Sequence, residues 1–256
     1  MKVLLFFFTF FIAFGLKAAE TNNQTVVLVA DQWCPYNCLP ESERPGYLVE
    51  IAKVVLSSHG YHVIYKTMEW NQAITLVRTG RANGLIGAFP SDAEDLIFPD
   101  TALGYADNSV IVRAQDSTQF KGIETLQELR LGVIEGYSYG AEIDKFLAER
   151  LALSTGVDVT SGDDPLERNL QMVLSNRLDG FIEDESVLKH HLRYHPDKDK
   201  FKLLARVSHD PVYIGFAPKH PESAKLAALL SDGIERLRKT GQLKVILQRY
   251  GLQDWY

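Results

Sequence analysis

Four groups of residues in this chain have side chains and spacings suited to chemistry. Cys34 and Cys38 sit four apart in WCPYNCLPESERPGYLVEIAK (residues 33–53), among aromatics and prolines, a spacing open to a metal knuckle, a redox centre or a stapled loop. Glu183 and Asp184 end GFIED, adjacent acceptors that can hold an ammonium group or, with burial raising a pKa, move a proton. EGYSYGAE (residues 135–142) sets Ser138 among glycines ahead of a helical pattern, which leaves backbone N–H groups free for an anion or carboxylate. HHLRYH places His191 and His195 four apart on an expected helix, a metal-ligand spacing that is more often plain surface; no metal is expected there.

The compartment decides the cysteine chemistry. The chain starts with basic Met1-Lys2, continues with the uninterrupted apolar run Val3 to Leu16, and reaches small Ala18-Ala19 before polar ETNNQT. This is the layout of a secretory signal peptide, expected over residues 1–19, with the cut after Ala18 or Ala19 and retention as an anchor as the alternative. The apolar run of 14 residues is shorter than the roughly 20 a membrane-spanning helix needs. In an oxidising compartment two nearby cysteines pair. Three residues between them miss the C-x-x-C redox spacing, and no second cysteine pair completes a zinc site. A Cys34–Cys38 disulfide is the expectation, and its loop would hold Trp33 and Tyr36 in defined positions.

Charge narrows the partners. The 27 Lys and Arg against 33 Asp and Glu give a net charge of −6, and loss of residues 1–19 would remove only Lys2 and Lys17. Such acidity argues against nucleic acid and anionic lipid. A chain of 256 residues accommodates one large or two medium domains with full cores.

The elements that must position these groups alternate in period. TVVLVA (25–30), HVIYK (62–66) and GLIGAF (84–89) read as strands, with helical runs between them from Pro45-Gly46 to Gly60 and over NQAITLVRTG. GYADNSVIVR (104–113) reads as a strand leaving this unit. A second series follows: LGVIE (131–135), a helix over 141–151, a helix opened by Asp164 and Pro165, the strand GFIED (180–184), a helix over ESVLKHHLRY, then FKLLARV and PVYIGFA as strands. A long helix from Pro221 and a terminal helix over LKVILQRYG close the chain. Two βα units make a parallel, helix-covered sheet each, hence two lobes and a cleft, with lobe 1 expected over 20–110 plus 209–256 and lobe 2 over 111–208.

Ligands of such sheets bind beyond the carboxyl ends of the strands. The loops found there carry Trp33, Tyr36 and nearby Tyr47, then Trp70, then Phe89, then Tyr137, Ser138 and Tyr139, and finally Glu183 and Asp184. These ten are the candidate ligand-binding residues. Each also has a plainer use: the aromatics in core or rim packing, the acids as solvated groups or helix caps, the glycines in tight turns.

The order of landmarks resembles the family-3 bacterial extracellular solute-binding proteins, the amino-acid-type periplasmic receptors of ABC transporters. PGYLVEIAKVV looks like that family's glycine-led first helix. EWNQAITLVRTGRANGLIGA looks like its W-x(5–6)-L-x-x-G-x-x-D segment, with Asn83 in place of the Asp. FPDTALGY, ETLQELRLGVIEGYSYG, NRLDGFIEDESV and the tail from Val212 to Gly251 follow in the family's order. The resemblance implies an α/β, two-lobed type II periplasmic-binding-protein fold with two mostly parallel sheets and two crossover segments. It also implies a monomer in the periplasm that closes on a small polar, amino-acid-like ligand and delivers it to a membrane permease. Neither a cofactor nor enzymatic activity is implied. By position, Tyr36 and Trp70 would line the lobe 1 wall, Ser138 and the amides around Gly136 would take a carboxylate, and Asp184 an ammonium. One departure stands out: the loop that usually supplies an arginine for the ligand carboxylate reads FPSDAEDLIF here, with no basic residue. Arg81 or Arg113 would have to substitute, or the ligand lacks a carboxylate. An enzyme like cyclohexadienyl dehydratase, using Glu135 or Glu183 as acid or base, and a sensory subunit for a membrane signalling protein are the alternatives.

Overall fold

β1 (Gln24–Ala30) is the apolar run TVVLVA, and its inner residues Leu28, Val29 and Ala30 are buried as expected of a strand covered on both faces. The computed structural model describes residues 24–256; the expected signal segment, residues 1–19, lies outside the described residues. After β1 come α1 (Tyr47–Ser57), β2 (Tyr61–Thr67), α2 (Trp70–Arg78), β3 (Gly84–Ala88) and the short β4 (Gly104–Ala106). Glu69 starts α2 by accepting from the Asn71 and Gln72 amides, both at 2.9 Å, the capping role that carboxylates take at a helix N-terminus.

The chain then crosses over. β5 (Asn108–Arg113), α3 (Ile123–Gln127), β6 (Leu131–Ile134), α4 (Ala141–Ala152), β7 (Val157–Thr160), α5 (Pro165–Leu174), β8 (Gly180–Asp184), α6 (Glu185–Leu192) and β9 (Phe201–Arg206) follow. Asp164 caps α5 through the Glu167 amide, with Pro165 at the first helical position. The chain returns through β10 (Asp210–Phe216), α7 (Ser223–Lys239) and α8 (Gln242–Arg249).

Two five-stranded mixed sheets result, in the orders β2-β1-β3-β10-β4 and β7-β6-β8-β5-β9. In the first, β1 runs parallel to β2 and β3, and β10 is antiparallel to β3. The second repeats this with β6 parallel to β7 and β8, and β5 antiparallel to β8. Both sheets therefore aim their strand-to-helix loops at one gap. Helices α1, α7 and α8 cover one face of the first sheet, and the Trp70, Ala73, Ile74 and Val77 side of α2 packs on the other with Val29 and Leu85.

Two differences from the sequence reading have physical causes. GYADNSVIVR is two strands interrupted at Asp107, because β4 pairs with β10 while β5 pairs with β8 and β9. Sheet pairing thus puts Asn108–Val110 in the second sheet. The sequence reading also lacks α3 and β7. β7 is an edge strand with two exposed residues in four, so it shows no apolar run to read.

The two crossovers lie side by side. The Val207 and Ser208 amides donate to Asn108 O, His209 Nδ1 is 2.6 Å from Asp107 Oδ1, and Tyr105 stacks on His209 at 4.6 Å.

Candidate functional site

The loop after β1 is held at three levels. Cys34 and Cys38 are joined by a disulfide. Trp33 and Asn37 exchange backbone hydrogen bonds of 2.8 and 3.0 Å, and the Tyr47 and Leu48 amides donate to Pro35 O and Tyr36 O. Gly46 closes the arrangement: its φ is +112°, and a side chain there would lie 2.3 Å from Tyr36 O, so glycine alone lets α1 start against this loop. Trp33 is thereby stacked on Tyr36 at 3.9 Å, with its edge turned to the gap between the lobes.

Across that gap the lobes touch. Trp33 Nε1 donates to Glu183 Oε1 at 3.3 Å, the Tyr137 hydroxyl donates to Asp31 Oδ2, and Ser91 Oγ meets Ser138 Oγ at 3.0 Å. Trp70 meets Tyr137 edge to face at 6.2 Å. The lobes are shut. The narrow cavity between them is lined by Asp31, Trp33, Trp70, Ile86, Gly87, Phe89, Asp92, Asn108, Tyr137, Ser138 and Glu183.

Six of the ten candidate residues therefore line the cavity: Trp33, Trp70, Phe89, Tyr137, Ser138 and Glu183. The other four lie behind it. Tyr36 sits under Trp33 and donates to Tyr105 O at 2.7 Å and Asp184 Oδ2 at 3.1 Å. Tyr47 is buried next to Tyr36, Tyr250 and Trp255. The Tyr139 hydroxyl accepts from the Ile134 amide at 2.7 Å. Asp184 caps α6 through the Ser186 and Val187 amides and takes the Asp107 amide at 2.8 Å, so with the Tyr36 hydroxyl its acceptor directions are spent inside the protein. Asp31 is not among the ten candidates, although it directly follows β1, at the strand end beyond which ligands of such sheets bind. Asp92 lies in the FPSDAEDLIF loop, whose three acidic residues are its sequence signal. Asn108 carried no sequence signal, because only the crossover brings the start of β5 to the gap.

The electrostatics are one-sided. Burial pushes Glu183 up to about 8, with Asp184 and Asp31 adding repulsion against hydrogen bonds from the Asp184 amide and Trp33. Burial likewise raises Asp92 to about 7 and Asp31 to about 6. Among the described residues, no lysine or arginine lines the cavity or the two depressions that share walls with it. Arg113, at the far end of β5, donates to Val173 O and Leu178 O, and exposed Arg81 donates to Thr79 Oγ1; neither fills the place of a carboxylate clamp.

Several anion-accepting groups at the gap are already in use. Ser138 Oγ and the Tyr139 amide both donate to Asp144, at 2.5 and 2.7 Å. The α2 start is held by Glu69, the α6 start by Asp184, and the Phe89 amide by Asp92 at 2.8 Å. Trp70 Nε1 is buried without an acceptor.

His191 and His195 do converge, although α6 ends at Leu192. Their Nε2 atoms lie 3.1 and 3.2 Å from Glu167 Oε2, and ligand atoms of the three residues fall within 4.8 Å of one another. The Asp197 amide donates to His195 Nδ1, so in the neutral ring Nε2 carries the proton and is turned to Glu167 as a donor. The arrangement is a carboxylate accepting from two imidazoles.

Comparison with known proteins agrees with this architecture. The chain is 20% identical to the arginine-binding extracellular protein ArtP of Bacillus subtilis (strain 168) over 260 residues, 97% of each chain. Among solved structures, a histidine kinase sensor domain with similarity to periplasmic binding proteins superposes with a TM-score of 0.73 at 20% identity, covering 91% of this chain and 99% of that one. An ancestral amino-acid-binding protein, a precursor of cyclohexadienyl dehydratase, superposes with a TM-score of 0.67 at 16% identity, covering 88% and 95%. At these identities the structures establish the shared two-lobed fold. The sequence model of the bacterial extracellular solute-binding proteins, family 3, matches residues 25–253, and the chain belongs to that family.

Proposed function

We propose that this protein is exported, works as a monomer, and captures a small polar solute bearing a protonated nitrogen by closing its lobes, for delivery to the permease of an ABC transporter. One observation carries the reading: the cavity is walled by both lobes at once, Asp31 and Trp33 on one side and Tyr137 and Glu183 on the other. A solute touching both walls stabilises the shut state over the open one, which is what drives hinge closure. Trp33, Trp70, Phe89 and Tyr137 supply faces for a cation, and Asp31, Asp92 and Glu183 supply its charge partners. Among the described residues no helix is long and apolar enough to cross a membrane. The test is a thermal-melt screen of amino acids, amines and small organic acids. A true ligand at a hundredfold excess over its Kd stabilises by roughly 3 kcal/mol; if no solute moves the melt, the cleft is not a solute site.

A second reading rests on Glu183. A carboxyl at about 8 in a shut cavity holds its proton at neutral pH and is placed to act as a general acid. Incubation with prephenate or arogenate, followed by product absorbance, separates the two: turnover would replace binding with catalysis.

A further inference from the structure

We infer that the solute is an organic cation with no carboxylate: an amine or guanidine rather than an amino acid. This rests on the reading of the cleft as a solute site and narrows what that site accepts.

Three observations converge on it. First, Glu183 is buried and Asp31 and Asp92 are half-buried on the cavity wall, and among the described residues no lysine or arginine lines the cavity or its two flanking depressions. A dehydrated ligand carboxylate would face three acidic groups and no counterion. Second, four of the donor sets at the gap that could receive a carboxylate in place of an arginine already hold one of the chain's own. Asp144 occupies the Ser138 hydroxyl and the Tyr139 amide, Glu69 the first turn of α2, Asp184 that of α6, and Asp92 the Phe89 amide. Asp144 in particular stands where the glycine-rich loop would otherwise take the ligand's anion, so the protein carries internally the charge that an amino acid would bring. Third, among the described residues the buried side-chain donor on the cavity wall without an acceptor is the Trp70 indole N–H. A single neutral N–H satisfies one hydroxyl or carbonyl oxygen but does not balance a carboxylate. A cation without a carboxylate meets none of these obstacles and finds carboxylates and ring faces on both walls.

The experiment compares pairs that differ only by the carboxylate: agmatine with arginine, cadaverine with lysine, putrescine with ornithine. Isothermal titration and thermal melts of the wild-type protein provide the readout. The expected result is that at least one amine raises the melt and binds about a hundredfold or more tighter than its amino acid, since an unpaired buried charge is the difference between them. An amino acid binding as tightly as its amine overturns the inference and leaves the solute-site reading in place. So does binding confined to neutral or anionic solutes of the wider screen. No response to any solute overturns both. Asp144→Ala gives an independent check read as a ratio. Vacating the Ser138 hydroxyl and Tyr139 amide should shrink the preference for agmatine over arginine by about tenfold, the scale of a charge-assisted hydrogen bond. An unchanged ratio in a folded variant removes Asp144 from the argument and counts against the inference.

Discussion

The Trp33 indole N–H donates to Glu183 Oε1 at 3.3 Å, joining the stapled loop of one lobe to the end of β8 in the other. The same oxygen takes the Asp184 amide at 2.8 Å. One carboxyl thus ties the lobes together and faces the cavity.

Glu183→Gln keeps the shape and both acceptor bonds while removing the charge. At pH 9 the ligand-free protein should gain about 1–3 kcal/mol, because an ionised group no longer sits without a cation. Affinity for a bound amine should fall at least about tenfold. Urea unfolding and calorimetric titration measure the two effects. A variant that loses stability at pH 9 and binds normally would disconnect Glu183 from the ligand.

The acidic cavity makes stability depend on pH in a definite direction. Asp31 and Asp184 are raised to about 6, Asp92 to about 7 and Glu183 to about 8, each chiefly by burial. A carboxyl whose folded pKa lies above its unfolded value binds more protons when folded. Its contribution is therefore fully present below about pH 4 and lost as pH rises through the folded pKa. The melting temperature of the ligand-free protein should fall from pH 5 to pH 9. Amine affinity should rise over the same range, with proton release on binding below pH 8. Scanning calorimetry at several pH values, and titrations in buffers of different ionisation heat, read these directly; a melt that climbs steadily to pH 9 would contradict the raised values.

Gly136 tests closure. Its φ is +78°, and a side chain there would come 2.6 Å from Asn71 Oδ1 on the opposite lobe. Gly136→Ala should cost about 1 kcal/mol in backbone strain and also weaken ligand binding about tenfold or more, because the lobes can no longer meet. Gly241→Ala is the control, since φ is +77° there and nothing lies within 4 Å of the added carbon. Equal affinity in the two variants would show that the Gly136 contact does not limit closure.

The staple predicts a thiol count and a stability change. Titration of the unreduced protein should find no free thiol, both cysteines being paired. Replacing both by serine opens a five-residue loop and should cost about 2 kcal/mol by chain entropy. Intrinsic fluorescence from Trp33 should broaden or shift in the same variant, as its loop loosens.

The alternation of strands and helices was legible because periodicity reports burial, and burial is set locally by which face of an element meets a core. LGVI, GFIED and the helix after Asp164 stand where their patterns place them. The exposed edge strand β7 has no such pattern and went unread for that reason. The cysteine pair, the acidic loop after β3 and the lack of a carboxylate-clamp arginine were equally visible, being matters of residue type.

Which side chains face the cavity was another matter. Tyr36 and Tyr47 belong to the same short stretch as Trp33, yet only Trp33 reaches the gap, since stacking and the Gly46 contact turn the tyrosines inward. Asp144 lies six residues beyond Ser138 on a helix face, and nothing in its spacing announces that it fills the loop's anion site. Residue order and period determine the lobes, the hinge-crossing path and the acid-rich loops, because those depend on local burial and composition. The identity of the cavity wall, and the fate of every acceptor and donor on it, comes from the meeting of residues as far apart as Trp33 and Glu183, a contact made only when two separately formed sheets close on each other.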